Sequence, residues 1–439
     1  MINKITYIKN VIPAEIEDNT IFNIYSNGTT SFTHGFHKYP AKFIPLIPNW
    51  GISKYLSSEG GTVLDPFCGS GTTLVESMLL CKKSIGIDID PLSCLIAKVK
   101  TTPLDINKLK NIILWLKESI GNLKSGTFKP STPNIKHWFN DDAINKLSIV
   151  RTLIEQVPSV FGNSKTVLDI KDFLIICFSS IIRRVSNADN ESQKTYVSHT
   201  KPKIPEEVNS LFFSQLDYFK TRIEDFSKTI CKNTESTIMQ SDSSTDLKAK
   251  IQDIEINLII TSPPYIKAID YLYNQMVELF WIGDLFELQT QLLQNGKKNL
   301  YIGSKHFHKK DYLSFNPNKT RLSIPHLDDK LIYIFETDSK NGHKHSFITY
   351  KYFLDIEYHF SNIACLLKKG TKYIMVIGDS SVSGVFFNTS NYLINIAQRN
   401  GFSLINRWGY KIKNRYMRFD RKGKGGIIEI DWVLVFEKN

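Results

Sequence analysis

Two consecutive segments, TVLDPFCGSGTTLVESMLL and KKSIGIDIDPLSCLIAKVK, constrain the fold of this 439-residue chain more than any other part of its sequence. Each begins with a short apolar run and continues, after a turn that contains glycine or proline, into a segment with helical periodicity. The order strand–helix–strand–helix is typical of a parallel sheet with right-handed crossovers. The sequence therefore predicts an α/β fold whose first clear strand begins near Gly61.

Further strand-like segments follow only after two long interruptions. STIMQSD and INLIITSPPY lie within residues 236–284, and KYIMVIGD, FSLINRWGYKI and IIEIDWVLVFEK lie within residues 352–439. The last two segments predict a terminal β-hairpin. Residues 102–235 have mainly helical periodicity, and residues 285–351 are basic and rich in histidine. We therefore predict a core made of residues 30–101, 236–284 and 352–439, interrupted by a helical insertion and a basic insertion.

Composition narrows the class of partner. The chain has 55 Lys and Arg against 43 Asp and Glu, a net charge of +12, which suits a polyanion such as nucleic acid, although many soluble proteins are mildly basic. The six cysteines form no CxxC pair and no zinc-like cluster, so we expect reduced thiols and no metal. The N-terminal segment lacks a signal peptide and no apolar run is long enough to span a bilayer, so we expect a cytoplasmic protein without membrane contact.

The loop DPFCGSGTT, residues 65–73, has the features of a ligand-binding turn. Gly69 and Gly71 permit a tight turn and a close approach of a ligand, and the helix that follows presents free N–H groups. No lysine follows the glycines, so the loop is not a Walker A motif, and Leu74 interrupts a full dinucleotide fingerprint. The glycines alone are therefore compatible with either a ligand site or an ordinary α/β turn.

Asp88 and Asp90 follow the second predicted strand. A carboxylate at the carboxyl end of such a strand faces the crevice of an open sheet and can accept hydrogen bonds from both hydroxyls of a ribose. Aspartate also suits the cap of the helix that begins near Pro91. We expect Asp88 to face a ribose and Asp90 to cap the helix; a capping role for Asp88 is the alternative.

The tetrapeptide Ser262-Pro263-Pro264-Tyr265 follows the strongly apolar strand INLIIT. In isolation it indicates a rigid turn with an aromatic anchor. At the tip of a strand in a ligand-binding sheet, the Ser262 hydroxyl and the proline-fixed Pro263 carbonyl can accept hydrogen bonds from a ligand amine. The Tyr265 ring can stack on a flat ligand.

The strings DPFCGSGTTLVE, GIDIDP and TSPPY, with HGFHKYPAKFIP upstream and IDWVLVFEK near the chain end, resemble the motifs of the S-adenosylmethionine-dependent DNA amino-methyltransferases. These enzymes methylate N4 of cytosine or N6 of adenine. The resemblance leaves both insertions unmatched. It implies a Rossmann-like class I methyltransferase fold, a seven-stranded sheet with a terminal β-hairpin. It also implies S-adenosyl-L-methionine as cofactor, double-stranded DNA as substrate and a possible cognate restriction endonuclease in a restriction-modification system.

Carried over residue by residue, the resemblance implies which residues catalyse the transfer and which contact the cofactor. Catalysis is assigned to Ser262, Pro263, Pro264 and Tyr265. Contact with the cofactor is assigned to His37, Lys38, Tyr39 and Pro40 at its carboxylate, to Asp65, Pro66, Phe67, Cys68, Gly69, Gly71 and Thr72 on the methionine side, to Asp88 and Ile89 at the ribose, and to Asp242 at the adenine. The alternatives are a solvated surface lysine for Lys38 and an ordinary loop aspartate for Asp242.

Ser262 also bears on the choice of base. In the family the first residue of this motif is often serine for cytosine N4 and aspartate for adenine N6, so the resemblance favours cytosine N4. Adenine N6 is the nearest alternative. RNA methylation and an inactive DNA-binding protein on a methyltransferase scaffold are further alternatives, disfavoured because no RNA-binding module is recognisable and the motifs are intact.

The run RWGYKIKNRYMRFDRKGKGG, residues 407–426, contains eight Lys or Arg and one Asp, with aromatic residues between them. Such a run suits a phosphate track beside an extruded base, and a solvated hairpin face is the alternative. We expect DNA contacts from Arg407, Lys411, Lys413, Arg415, Arg418 and Arg421. Arg183 and Arg184 are expected either to contact DNA or to pair with internal acidic groups. Neither insertion contains a recognisable DNA-reading motif, so both remain candidates for target recognition.

Overall fold

The strands follow the alternation and apolar runs of the sequence. The computed structural model describes residues 5–26, 28–40, 42–57, 60–130, 132, 134–190, 195–245, 247–251, 253–267, 270–286, 298–412 and 428–439. Its strands are β1 (Ile5–Lys9), β2 (Ile21–Tyr25), β3 (Thr62–Asp65), β4 (Lys83–Asp88), β5 (Ser236–Gln240), β6 (Leu258–Thr261), β7 (Lys372–Gly378), β8 (Ser380–Val382), β9 (Val385–Phe387), β10 (Phe402–Lys411) and β11 (Ile430–Lys438).

Among the described residues, nine strands form one sheet in the order β1-β2-β10-β11-β7-β6-β3-β4-β5, and β8 and β9 form a separate hairpin. Strand β11 is antiparallel to both of its neighbours, and the other pairs in the large sheet are parallel. The seven strands from β5 to β10 confirm the expected class I methyltransferase sheet and its terminal hairpin. Strands β1 and β2 extend the sheet beyond β10. The sequence did not predict them, because these short segments carry no turn signal that marks them as strands.

The helices alternate with these strands and build the two insertions. They are α1 (Leu46–Tyr55), α2 (Thr72–Leu79), α3 (Pro91–Thr101), α4 (Ile106–Asn122), α5 (Ile135–Trp138), α6 (Asp141–Phe161), α7 (Lys165–Val185), α8 (Val208–Thr229), α9 (Lys248–Ile251), α10 (Tyr271–Asn274), α11 (Met276–Ile282), α12 (Lys309–Leu313), α13 (Leu327–Thr337), α14 (Gly342–Ala364) and α15 (Thr389–Arg399). The helices predicted near Thr72 and after Pro91 are confirmed as α2 and α3.

The sheet is covered on both faces. Along β7, Ile374 and Val376 pack in the cluster that contains α1, whereas Met375 and Ile377 pack in the cluster that contains α14 and α15. A central parallel strand buried on both sides is a continuous apolar run, which explains the segment KYIMVIG.

The helical insertion packs directly onto the core. Its α4, α6, α7 and α8 share one apolar cluster with Phe36, with α2 and α3 and with Trp281 of α11. The fully buried Arg151 of α6 donates to the Trp281 carbonyl at 3.2 Å and pairs with Asp284 at 2.9 Å. The stretch after the catalytic tetrapeptide is therefore held by the insertion that precedes it in the chain.

One expectation about the cysteines is wrong. Cys81, just after α2, and Cys231, just after α8, form a disulfide with Cα atoms 5.3 Å apart, so not all six cysteines are reduced. The two residues lie 150 positions apart, and only the packing of α8 beside the core brings them together. Cys68, Cys94, Cys177 and Cys365 are free thiols. No helix in the described part of the chain is long and apolar enough to cross a membrane.

Candidate active site

A cleft of about 740 Å³, counting its open mouth, lies at the carboxyl ends of β3 to β6. The loops that follow these strands supply most of its wall, and Tyr39, Lys42 and Phe43 together with residues 300–302 complete it. Its lining residues are Tyr39, Lys42, Phe43, Pro66, Phe67, Cys68, Gly69, Ser70, Thr72, Asp88, Ile89, Asp90, Ser241, Asp242, Ser243, Ser262, Pro264, Leu300, Tyr301 and Ile302. The loops at 65–72 and 262–265 therefore meet in one cleft, because β3 and β6 are parallel neighbours.

The Asp65 side chain connects the loop at 65–72 with the end of β6, where the loop at 262–265 begins. Its carboxylate accepts a hydrogen bond of 2.6 Å from the Thr261 hydroxyl and one of 3.1 Å from the Phe67 N–H. Asp65 is 1% exposed, and burial raises the pKa of its carboxyl to about 6. It is absent from the described lining of the cleft, so its observed contacts are with the loops rather than with the space where a ligand fits.

Asp88 connects the glycine turn to β4. One of its oxygens accepts from the Gly69 N–H at 2.8 Å and the other from the Asp90 N–H at 2.9 Å. Burial, followed by the nearby Asp90 carboxylate, raises the pKa of Asp88 to about 7. Each carboxylate oxygen keeps a second lone pair, so Asp88 can still accept a hydrogen bond from a ligand hydroxyl in the cleft.

Backbone conformation explains the glycines of this loop. Gly69 has φ +47° and Gly71 has φ +80°, and a Cβ on Gly71 would lie 3.1 Å from the Ala97 Cα atom. The turn thus needs glycine both for its dihedral angles and for close packing on α3. The predicted helix cap is confirmed, because Asp90 accepts from the Leu92 N–H at 3.2 Å and from the Ser93 hydroxyl at 2.6 Å.

The segment 34–45 meets the cleft through one residue that was expected there and two that were not. Tyr39 was expected and lines the cleft, and Lys42 and Phe43 of the same segment line it as well.

The other expected residues of this segment have partners inside the protein or lie outside the lining. His37 is buried, bonds Ser179 at 3.1 Å, and has its pKa lowered by burial to about 4, so it is neutral. Lys38 donates to the Asn190 carbonyl at 2.8 Å, and neither these two residues nor Pro40 is among the described lining residues. Contact of this segment with a cofactor stays a prediction.

The catalytic tetrapeptide is divided between cleft and interior. Ser262 and Pro264 line the cleft, and Pro263 is buried beside them. Tyr265 is half-buried and is not among the described lining residues, and its hydroxyl donates to Asp431 of β11 at 2.7 Å. Asp431 was not identified from the sequence, and no local pattern could have connected it with residue 265.

Asp242 lies where the sequence predicts it, in the loop after β5 and on the wall of the cleft. One of its oxygens accepts from both the N–H and the hydroxyl of Ser244 at 2.8 Å, which orders the turn. Contact with adenine stays a prediction.

The two insertions differ in their relation to the cleft. No described residue of 102–235 is part of its lining, whereas Leu300, Tyr301 and Ile302 of the basic insertion are. Burial and the nearby Asp90 and Asp88 carboxylates raise the pKa of the Tyr301 hydroxyl. His306 bonds Asp270, in the segment after the catalytic loop, at 2.5 Å and so anchors this part of the insertion. No motif in the sequence marked Tyr301.

The residues expected to contact DNA are only partly described. The Arg407 guanidinium lies 4.0 Å above the Trp432 ring and donates to Asn391 at 2.6 Å and Ser390 at 3.0 Å, so its polar groups are largely used inside the protein. Lys411 ends β10. Lys413, Arg415, Arg418 and Arg421 lie outside the described residues. Arg184 pairs with Glu206 at 2.6 Å, which agrees with the alternative that this arginine pairs with an acidic group of the protein itself.

The cleft has the polar groups that a nucleoside with an amino-acid tail requires. Asp88 offers a carboxylate to hydroxyls, and exposed Lys42 offers a cation to a carboxylate. Ser70 is 2% exposed, lines the cleft, and its hydroxyl has no protein partner in the described structure. Because buried hydroxyls are normally bonded, this orphaned group indicates a polar ligand. The residues present therefore fit S-adenosylmethionine.

Comparison with known proteins agrees with this chemistry. Residues 14–99 match the N6/N4 methyltransferase family, described as DNA methylase. The type II methyltransferase M.MvaI of Kocuria varians is 24% identical over 427 residues, which cover 91% of this chain and 88% of that protein. The type II methyltransferase M.MjaII of Methanocaldococcus jannaschii is 28% identical over 403 residues, 72% of this chain and 74% of that protein.

Sheet order, cleft and relatives together define a methyltransferase that takes its methyl group from S-adenosylmethionine. Within that class the chain is similar to the DNA amino-methyltransferases of the N4/N6 family.

Proposed function

We propose that this enzyme methylates the exocyclic N4 of cytosine at specific sites in duplex DNA, after the base has been flipped out. One observation carries the proposal: Ser262 and Pro264 line the same cleft as Gly69, Asp88 and Asp242. A nucleobase held by the first pair is then next to a cofactor held by the other three. Proximity of this kind turns a bimolecular transfer into an effectively unimolecular one.

The chain's own residues supply orientation and hydrogen-bond acceptors. The bound cofactor supplies a methyl group on a positively charged sulfur, which needs no further activation. The Ser262 hydroxyl and Pro263 carbonyl accept the two hydrogens of the amine, which draws the nitrogen toward tetrahedral geometry and frees its lone pair. A nitrogen–carbon bond forms, a sulfur–carbon bond breaks, and the amine releases one proton. The Tyr265 ring lies against the face of the base during the transfer.

The choice of cytosine rests on Ser262. In the family that the sequence resembles, the first residue of this motif is often serine for cytosine N4 and aspartate for adenine N6. Adenine N6 is the alternative, since the same acceptors fit its amine. Tyr265 and the proline backbone do not discriminate between the two.

Two further parts of the proposal concern the biological setting. The relatives M.MvaI and M.MjaII are named type II methyltransferases. We place this chain likewise in a restriction-modification system with a cognate endonuclease. The basic insertion is the favoured target-recognition region, because its residues 300–302 reach the cleft. The division of the chain into a core of three segments with two insertions stays a prediction, and so does a cytoplasmic location.

The test is transfer of tritiated methyl from labelled cofactor to duplex DNA, with structured RNA as the parallel substrate. Mass spectrometry of the digested nucleosides then identifies the base. We expect label in DNA only and N4-methylcytosine as the product, and about 100-fold slower labelling with Ser262→Ala. N6-methyladenine would overturn the choice of base, and label confined to RNA would overturn the proposed function.

A further inference from the structure

The hydroxyl of Tyr265 is bonded to a carboxylate that is distant in sequence. It donates to Asp431 Oδ1 at 2.7 Å, and Asp431 is only 9% exposed. Asp431 lies on β11 opposite Gly378 of β7 and opposite the buried Tyr410 of β10. The contact therefore lies at the end of three adjacent strands, which are themselves held by ladder hydrogen bonds.

Burying a carboxylate there is costly unless hydrogen bonds compensate for the lost water. Burial raises the pKa of Asp431, and the hydrogen bond from Tyr265 counteracts this effect. A purely packing role at this position would be served better by an apolar side chain, since a buried carboxylate adds stability only when its geometry is good. The hydrogen bond from Tyr265 is therefore the observed contact that accounts for a carboxylate at this buried position.

Two glycines restrict the same tyrosine. A Cβ on Gly378 would lie 2.9 Å from Tyr265 Cε2, so glycine lets the ring lie against the end of β7. A Cβ on Gly303, which has φ +77°, would lie 2.6 Å from the Tyr265 carbonyl oxygen, so glycine lets the basic insertion approach the backbone of the catalytic loop. The ring, the backbone and the hydroxyl of Tyr265 are thus each held from a different side.

We propose that Asp431 is a positioning residue for methyl transfer: by holding the Tyr265 hydroxyl, it fixes the ring in the orientation in which the ring stacks on the extruded base. This inference rests on the proposed function and deepens it. A ring that is fixed before the base arrives loses no further rotational freedom when the base binds, and such preorganisation lowers the cost of binding. Asp431 itself does not contact the reacting atoms.

The test compares four variants with the wild-type enzyme. Asp431→Ala removes the acceptor, Asp431→Asn keeps an acceptor oxygen without the charge, Tyr265→Phe keeps the ring without the donor, and the fourth combines Asp431→Ala with Tyr265→Phe. Glu437→Gln is the matched control, because it changes a carboxylate of the same strand that pairs with Lys372 at the opposite end. The measurements are kcat on duplex DNA, cofactor affinity by calorimetry, and fluorescence of 2-aminopurine at the target position.

We expect Asp431→Ala to lower kcat about 10-fold, the effect of a lost hydrogen bond to a charged group, with cofactor affinity unchanged. Tyr265→Phe should lower it equally, the combined variant no further, and Asp431→Asn should restore most of the activity. The 2-aminopurine signal should change in Asp431→Ala and Tyr265→Phe and remain normal in Glu437→Gln.

Wild-type kcat in Asp431→Ala, or losses that multiply in the combined variant, would overturn the positioning role alone. If Asp431→Ala does not fold, Tyr265→Phe removes the same bond from the other side, and unchanged kcat there would overturn the role as well. Absence of methyl transfer to DNA by the wild-type enzyme would overturn the proposed function together with this role.

Discussion

The glycine loop, residues 65–72, and the catalytic loop, residues 262–265, follow neighbouring parallel strands and yet have opposite chemistry. Around the glycine loop lie the carboxyls of Asp65 and Asp88, whose pKa values burial raises to about 6 and about 7. The catalytic loop offers a hydroxyl, proline-fixed carbonyls and one aromatic ring. This difference in side chains matches the proposed roles, in which the glycine loop holds the cofactor by charge and backbone N–H groups and the catalytic loop orients the amine. Variants of the two loops should therefore separate cofactor affinity from turnover.

The largest effect is expected from Ser262→Ala. Turnover should fall about 100-fold, the size typical for removal of a preorganised polar group at a reacting centre, while cofactor affinity stays unchanged. Tyr265→Ala should behave in the same way. Single-turnover methyl transfer and calorimetry measure the two quantities. Ser403→Ala, at an exposed position of β10, is the control. Wild-type turnover in Ser262→Ala would remove the catalytic loop from the chemistry.

Asp88→Ala tests the other loop. Cofactor affinity should fall roughly 10- to 100-fold, because two hydrogen bonds from hydroxyls to a carboxylate are lost along with the anchor of the Gly69 N–H. Turnover at saturating cofactor should fall much less. The exposed Asp253, which is outside the described lining, provides the control variant Asp253→Ala. Unchanged affinity by calorimetry would contradict a ribose contact for Asp88.

Lys42→Met tests which lysine of the segment 34–45 contacts the cofactor. Lys42 lines the cleft and Lys38 does not, so cofactor affinity should fall about 10-fold in Lys42→Met, the effect of one lost charge-assisted bond, and stay unchanged in Lys38→Met. The two lysines belong to one motif, which makes each variant the control for the other. A loss confined to Lys38→Met would restore the assignment made from the motif alone.

The smallest effect is the pH dependence of cofactor binding. The free protein has a pKa of about 7 at Asp88, and a carboxylate that accepts hydrogen bonds from hydroxyls binds best when ionised. Affinity should therefore be full only well above pH 7, and it should fall by somewhat less than 10-fold between pH 7 and pH 6. Calorimetry at several pH values measures this slope. In Asp88→Asn the slope should disappear, and a slope that persists there would assign the titration to another group.

Much of the fold could be predicted from short stretches of sequence. The strand ends at Asp88 and at Gly378, the helices that begin at Thr72 and Pro91, and the cap by Asp90 all follow from local patterns. The two N-terminal strands could not be predicted, because β2 joins the sheet through pairing with the distant β10. The disulfide between Cys81 and Cys231 was missed for the same reason.

The residues of the candidate site show the same difference between local sequence patterns and contacts of distant segments. The sequence by itself indicated the two loops, since glycine permits a positive φ and proline fixes φ wherever they stand. Only the tertiary structure decided that Lys42 rather than Lys38 meets the cleft, that Tyr301 lines it, and that Asp431 holds Tyr265. Those contacts depend on which strands and insertions become neighbours, and that is set by burial of apolar surface over the whole chain rather than by the local order of residues.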